Sequence, residues 1–346
     1  ARGKADNPGK KYPFAGGTLS SGIRDATRTG DPYPVKGWMV YATNLLKALP
    51  NQEETLNAIR ALDLLVVVDV IPSEIAGWAD VVLPESIYLE RYDDLHVPWF
   101  REPFVGLRQP VVESPHDQKP NWWIARNLAS KLGLERYFPW KNMEEYLDTR
   151  LKGAGTSLAE MKQKGILTGR PAPLYFDQGS PAEFPTPSGK IEFYSVQLKD
   201  AGFDPVPRFR PPTEPPAGHF RLLFGRSPVH SFSKTQTNPL LAEMQQTNEL
   251  WLNGAVAARY DLKSGDWVRL RNEDGIVSNR IRVKATQRIR GDCVYMIHGF
   301  GHQARALRSA FGIGASDSHL ITRYEKDEVM GGDGMNVTFV SLELEA

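Results

Sequence analysis

Apolar residues first gather at Gly37-Trp-Met-Val-Tyr-Ala42, a run fit for a buried strand. Within 52–62, Leu56, Ile59 and Leu62 recur at spacings of three, which predicts an amphipathic helix. Leu64 to Val68 is a continuous Leu/Val run, the mark of a strand covered on both faces. Strand, helix and strand in this order predict a βαβ unit of a parallel sheet. A third short strand, Asp80–Leu83, is stopped by Pro84, residues 119–135 read as a helix, and 141–165 hold another.

The periodicity changes along the chain. Residues 1–36 are polar and rich in Gly, Pro and Lys, so they read as an extended lead-in with no core of their own. Residues 37–165 form the α/β region. Residues 166–218 are Pro-rich and broken, running out through Pro-Pro-Thr-Glu-Pro-Pro-Ala-Gly at 211–218, the pattern of a connection between domains. From 219 to 346 short strands alternate with turn signals: Phe220–Phe224, Leu250–Leu252, Trp267–Arg271, Val277–Lys284 and Cys293–His298. Asn272-Glu-Asp-Gly275 reads as a hairpin turn and Asn253–Tyr260 as a short helix. A small mixed-β barrel is expected there.

Composition narrows the classes. The 346 residues suggest two domains, and 42 Lys and Arg against 41 Asp and Glu leave a formal charge of +1. That balance removes the electrostatic case for a nucleic-acid binder or a membrane-surface protein. The single cysteine, Cys293, excludes an intrachain disulfide, a Cys-rich zinc site and an iron–sulfur cluster held by this chain alone. No stretch approaches the roughly 18 apolar residues of a membrane-spanning helix, so no direct membrane insertion is expected. The first residues, Ala-Arg-Gly-Lys-Ala-Asp, are no signal peptide and lack Met, as in a chain processed or cut from something longer.

The motifs carry competing meanings. Gly299-Phe-Gly301-His-Gln-Ala304 fits G-x-G-x-x-A, but no βαβ unit follows and 311–318 is Gly/Ser-rich, which favours a loop approaching a ligand backbone-first. His298 and His302 stand four apart, yet Gly-Phe-Gly between them opposes a helix and no third ligand is evident, so no metal site is assigned. His96, His116, His219, His230 and His319 are scattered, and Cys293 reads as a buried thiol in a strand. Asn44 follows the first strand, Asp69 closes the second and Ser73 comes soon after, at the strand ends where doubly wound sheets bind ligands. An Asp there can accept from a ribose or a guanine N–H edge, and a turn or cap role fits the same spacing. Gly225-Arg226-Ser-Pro-Val-His230-Ser231, with Thr235 and Asn238 beyond, is an anion-binding loop by chemistry, although a solvated Arg would look the same. No G-x-S-x-G elbow supports a serine hydrolase.

Several blocks together resemble the molybdopterin oxidoreductases of the dimethyl sulfoxide reductase family. They are Tyr33-Pro-Val-Lys36, Tyr41-Ala-Thr-Asn44, Pro50-Asn51, Val68-Asp69 through Ser73-Glu74, Ala79-Asp-Val-Val-Leu-Pro-Glu85, Tyr88-Leu-Glu-Arg91, Thr186-Pro-Ser-Gly-Lys-Ile-Glu192 and Leu262-Lys-Ser-Gly-Asp266. Leu107-Arg-Gln-Pro110 adds a likeness to polysulfide and thiosulfate reductases, with respiratory arsenate reductases next. The resemblance implies a Rossmann-like parallel α/β region followed by a double-psi β-barrel, together gripping molybdenum bis(molybdopterin guanine dinucleotide). Asn44 would meet the nucleotide phosphates, and Asp69 and Ser73 the guanosine. Gly225, Arg226, His230, Ser231 and Thr235 would lie at the cofactor, with the Gly301–His302 loop facing the pterin. Asn121 stands where the family often has Asp before Trp and could still bond a guanine, while Leu45 replaces a usual Pro.

Family members are much longer, and their N-terminal half carries the [4Fe–4S] cluster and the molybdenum ligand. The expectation is therefore a C-terminal portion of an enzyme that reduces a sulfur oxyanion or polysulfide in anaerobic respiration, with its catalytic residues unknown. The implied partners are that N-terminal half, an iron–sulfur electron-transfer subunit and a quinol-linked membrane anchor, in the periplasm or on the extracytoplasmic face. A non-catalytic nucleotide-binding module is the competing class.

Overall fold

The computed structural model describes residues 7, 10–171, 184–206 and 208–344. The chain divides into two compact units, one made of Ala1–Leu83 with Phe209–Ala346 and the other of Pro84–Arg208.

The first unit opens with helix α1, Ser20–Thr29, where an extended lead-in is expected. Its buried residues are Ser21, Arg24, Ala26 and Thr27, so the inward face is mostly polar and leaves no apolar stripe to read. Its burial is largely compensated, since Arg24 donates through Nη1 to Pro50 O at 2.5 Å and through Nη2 to Glu54 and Tyr324, each at 2.6 Å, while Nε has no hydrogen-bond partner. Strand β1 (Gly37–Tyr41), helix α2 (Leu45–Ala48), helix α3 (Gln52–Arg60) and strand β2 (Leu64–Asp69) then form the expected parallel unit. Its register runs from Gly37 opposite Leu64 to Tyr41 opposite Val68. Helix α3 starts where Asn51 accepts from Glu54 N–H at 3.1 Å, with Glu53 and Glu54 suited to the positive end of its dipole. A 3-10 turn, Glu74–Trp78, leads to β3 (Val81–Pro84), and the order is β1-β2-β3.

Val40, Leu65 and Val67 pack with Leu46, Ile59 and Ile75 on one face of this sheet. Met39, Tyr41 and Leu64 on the other face are exposed. On that same face Val68 is buried, so the expectation of a β2 strand covered on both faces holds at Val68 and fails at Leu64.

In the second unit, β4 (Phe104–Gly106) precedes α4 (Asn121–Lys131), α5 (Met143–Gly153), α6 (Leu158–Lys164), β5 (Ile166–Thr168) and α7 (Val196–Asp200). The stretch 141–165 thus holds two helices, because Ser157 restarts the chain by accepting from Glu160 N–H at 3.2 Å. Leu107, Leu147, Leu151, Leu158 and Met161 form the core here, and β4 pairs with β5 antiparallel. Residues 172–183 and 207 of the Pro-rich stretch lie outside the described residues.

The remaining chain builds a barrel. Its elements are β6 (Phe220–Gly225), α8 (Pro239–Met244), β7 (Glu249–Asn253), α9 (Gly254–Arg259), β8 (Trp267–Asn272), β9 (Ile281–Thr286), β10 (Cys293–Ile297), α10 (Asp317–Leu320), β11 (Glu325–Lys326), β12 (Asp333–Gly334) and β13 (Phe339–Leu344). Six strands close in the order β10-β6-β13-β8-β9-β7. The β10–β6 and β7–β9 pairs are parallel and the other pairs antiparallel. Leu222, Leu250, Leu252, Val268, Leu270, Ile281, Val283, Val294, Met296 and Val340 fill the interior. The expected strand 277–284 begins only at Ile281, since Val277 makes an isolated bridge to Arg271. No local pattern announces β13, which the barrel recruits between β6 and β8.

Candidate functional site

A cavity of about 480 Å³ lies where the C-terminal ends of β1, β6 and β10 meet, all within the first unit. After β1, Ala42 turns the chain and Asn44 caps α2, so Asn44 and Lys47 enter the cavity from one short helix. Asn44 Nδ2 donates to Glu74 at 2.5 Å, and its Oδ1 is buried without a partner. Lys47 Nζ donates to Phe300 O at 3.1 Å, Gly301 O at 2.9 Å and Ser316 Oγ at 2.8 Å. Burial lowers the Lys47 pKa, against the opposing carboxylates of Glu74 and Asp317.

Glu74, at the start of the 3-10 turn, meets His302 Nδ1 at 2.9 Å and accepts from Gln303 N–H at 2.8 Å. Burial alone would raise its carboxyl, but His302, Lys47 and the Gln303 N–H together hold it below the usual carboxylate range.

The barrel supplies the other walls. Arg226 follows β6, is exposed, and lays its guanidinium over the Phe232 ring, 4.6 Å from the centroid. Lys234 also lines the cavity and donates to Ala42 O at 2.9 Å. His298, at the end of β10, meets Asp317 Oδ2 through Nδ1 at 2.7 Å. Asp317 Oδ1 is buried and has no partner.

The loop after β10 needs its two glycines. A Cβ at Gly299 would sit 2.0 Å from Phe232 O, and one at Gly301 would sit 2.5 Å from Ser316 N. Both residues also have positive φ, +99° and +68°. Close backbone packing thus accounts for the glycine pair without a dinucleotide βαβ unit.

Of the residues singled out in the sequence, Asn44, Gly225 and Arg226 line the cavity. His230, Ser231 and Thr235 do not line it. His230 Nε2 lies 2.7 Å from Gln245 O, and Thr235 Oγ1 accepts from Ser231 N–H at 2.9 Å. Gly301 and His302 anchor the loop through Lys47 and Glu74. Asp69 caps its own turn, accepting from Val70 N–H at 2.7 Å and from Ser73 Oγ at 3.3 Å. Neither Asp69 nor Ser73 lines the cavity. Asn121 belongs to the second unit, where its Oδ1 accepts from Trp122 N–H at 2.7 Å.

Sequence reasoning missed Lys47, Lys234 and Asp317, and it read Glu74 only as part of a family block. Lys47 carried one local signal, its spacing of three from Asn44 on a helix. His298 and His302 serve different carboxylates, and among the described residues no three His, Cys, Asp or Glu are grouped to hold a metal ion. Cys293 is buried in β10, and burial pushes its thiol pKa up, as suits a structural residue. Among the described residues no helix is long and apolar enough to cross a membrane.

Taken together, two residues lining the cavity, Asn44 and Asp317, each carry a buried acceptor without a partner, beside the cations Arg226 and Lys234. Acceptors want N–H donors and the cations want an anion. A phosphorylated heterocycle with N–H groups, such as a pterin or guanine nucleotide, fits both demands.

Comparison with known proteins agrees. Residues 20–131 match the molybdopterin oxidoreductase family, and residues 220–338 match the molydopterin dinucleotide binding domain. The chain belongs to the molybdopterin oxidoreductases. It is 32% identical to the thiosulfate reductase molybdopterin-containing subunit PhsA of Salmonella typhimurium, over 91% of this chain and 44% of that protein. Acetylene hydratase of Syntrophotalea acetylenica is 30% identical over 72% of this chain and 35% of its own length. Dimethyl sulfoxide reductase DmsA of Escherichia coli is 27% identical over 84% and 40%. The solved acetylene hydratase from Pelobacter acetylenicus shares the fold, with a TM-score of 0.76 at 23% identity over 96% of this chain and 48% of that one. The chain spans less than half the length of these relatives.

Proposed function

We propose that this chain is the cofactor-gripping portion of a molybdenum bis(molybdopterin guanine dinucleotide) oxidoreductase that reduces a sulfur oxyanion or polysulfide in anaerobic respiration. The observation that carries this reading is the pairing, in one cavity, of orphaned buried acceptors with two cations. The likeness to a thiosulfate reductase subunit supports the substrate class. When bound, the cofactor supplies two-electron redox chemistry at its molybdenum.

The chain's own residues grip and orient. Arg226 and Lys234 offset phosphate charge, and Asn44 and Asp317 accept N–H bonds from the heterocycle. Lys47, Glu74 and His302 hold the glycine loop in place behind them. Residues 37–165 then serve as the Rossmann-like region, 166–218 as the connection and 219–346 as the double-psi barrel. The parallel β1–β2 unit supports the first assignment over its opening stretch, and the two parallel pairs of the closed barrel support the last. Asp69 and Ser73 of the first unit, and independently Asn121 of the second, remain assigned to guanosine contacts.

The molybdenum ligand and the [4Fe–4S] cluster would come from the part of the longer relatives that this chain does not match. Electrons would arrive from an iron–sulfur subunit and a quinol-linked membrane anchor at the extracytoplasmic face. Several relatives are named as subunits or chains, which supports such partners. The acetylene hydratase relative keeps a second reading in view, the same grip serving a non-reductive reaction.

The test joins this chain to a partner portion from such a relative and measures metal, nucleotide and turnover. Stoichiometric molybdenum and guanine nucleotide with thiosulfate or polysulfide reduction are expected. Absence of both metal and nucleotide would overturn the reading, and arsenate reduction alone would move it to the arsenate reductases.

A further inference from the structure

The acceptors of the cavity carry information beyond its charge. The Asp317 side chain is 1% exposed, and His298 occupies its Oδ2 at 2.7 Å. Donors nearby are committed elsewhere: Lys47 serves Phe300 O, Gly301 O and Ser316 Oγ, while Ser316 and Ser318 bond each other at 3.0 Å. Oδ1 therefore has no donor from the wall. A buried acceptor without a donor is costly and uncommon in folded proteins. Phosphate oxygens cannot satisfy it, because they are acceptors themselves, whereas an N–H can. Asn44 Oδ1 presents the same demand from α2.

We infer that Asp317 is a specificity-determining residue that accepts the exocyclic amino N–H of the lactam–amidine edge shared by pterin and guanine. His298 acts through it, as the positioning residue that holds the carboxylate. The inference rests on the cofactor reading above and adds to it which atom reads the heterocycle. A ring presenting an oxygen at that place would set acceptor against acceptor and be rejected.

Calorimetric titration of the purified chain tests this with two pairs of probes. One pair is guanosine diphosphate and inosine diphosphate, and the other is hydroxymethylpterin and hydroxymethyllumazine. The second member of each pair lacks the amino group. The wild-type chain should prefer the amino-bearing member of one pair by about tenfold or more. Which pair shows the preference identifies whether guanine or pterin occupies the cavity.

Asp317→Leu, which removes both acceptor oxygens at similar volume, should weaken that probe by about 10- to 100-fold and abolish the preference, in protein shown by its thermal unfolding to be folded. Arg226→Ala should weaken guanosine diphosphate while any amino preference survives. An undiminished preference in Asp317→Leu, or none in the wild type despite binding, would overturn the inference and leave the cofactor reading standing. Failure of every probe to bind the wild-type chain would overturn both.

Discussion

Glu74 ties three parts of the chain together, through Asn44 at 2.5 Å, His302 at 2.9 Å and the Gln303 N–H at 2.8 Å. Removing its charge leaves Lys47 buried with less compensation, so Glu74→Gln should cost about 2–3 kcal/mol near neutral pH. The native carboxyl is depressed below its ordinary value of 4.5, so its contribution is present above that value and fades as pH falls through the native one. Urea unfolding at about pH 7 and about pH 3 should show the gap between wild type and variant shrinking in acid. A gap that widens in acid would contradict the assignment. Beyond the spacing of three between Asn44 and Lys47, the contacts of this network were not legible in the sequence, because residues 44, 74 and 302 meet only through the fold. The residues that were legible, Asn44, Gly225 and Arg226, follow strands whose ends could be read from their apolar runs.

At the scale of elements, the loop after β10 depends on backbone-to-backbone contact. Gly299→Ala adds a Cβ 2.0 Å from Phe232 O at a φ of +99°, so overpacking and strain add together. A loss of about 3 kcal/mol or more is expected, measured by chemical unfolding. Gly312 shares a positive φ of +70° but has open space around it, so Gly312→Ala should cost only about 1 kcal/mol. Equal losses at the two sites would show that φ, not crowding, governs the loop. This contrast also explains what could be read in advance. Apolar runs announced β1, β2, β6 and β10 because their side chains fill cores. Helix α1 escaped because its buried face is built on Ser21, Arg24 and Thr27, and β13 escaped because its place depends on distant partners.

For the whole molecule, the three-stranded sheet is informative because its second face is covered at Val68 but open around Met39, Tyr41 and Leu64. Met39, Tyr41 and Leu64 stand 51%, 43% and 46% exposed on a face opposite a packed core. Parallel sheets are ordinarily buried on both faces, and a contiguous exposed apolar patch marks an interaction surface. The family blocks could be recognised in the sequence, but this partly exposed face could not, since Leu64–Val68 reads as doubly covered while only Val68 on that face is buried. Under the proposed function, the part of the longer relatives beyond this chain covers it. Substituting Met39→Lys and Leu64→Lys together should leave the chain's own unfolding free energy within about 0.5 kcal/mol, because both side chains are already solvated. The same double variant should self-associate less in light scattering, as the patch is broken by charge. It should also fail to co-purify with a partner portion supplied in trans, whereas the unsubstituted chain should be retained. Equal retention of both would show that this face is not where the larger protein is completed.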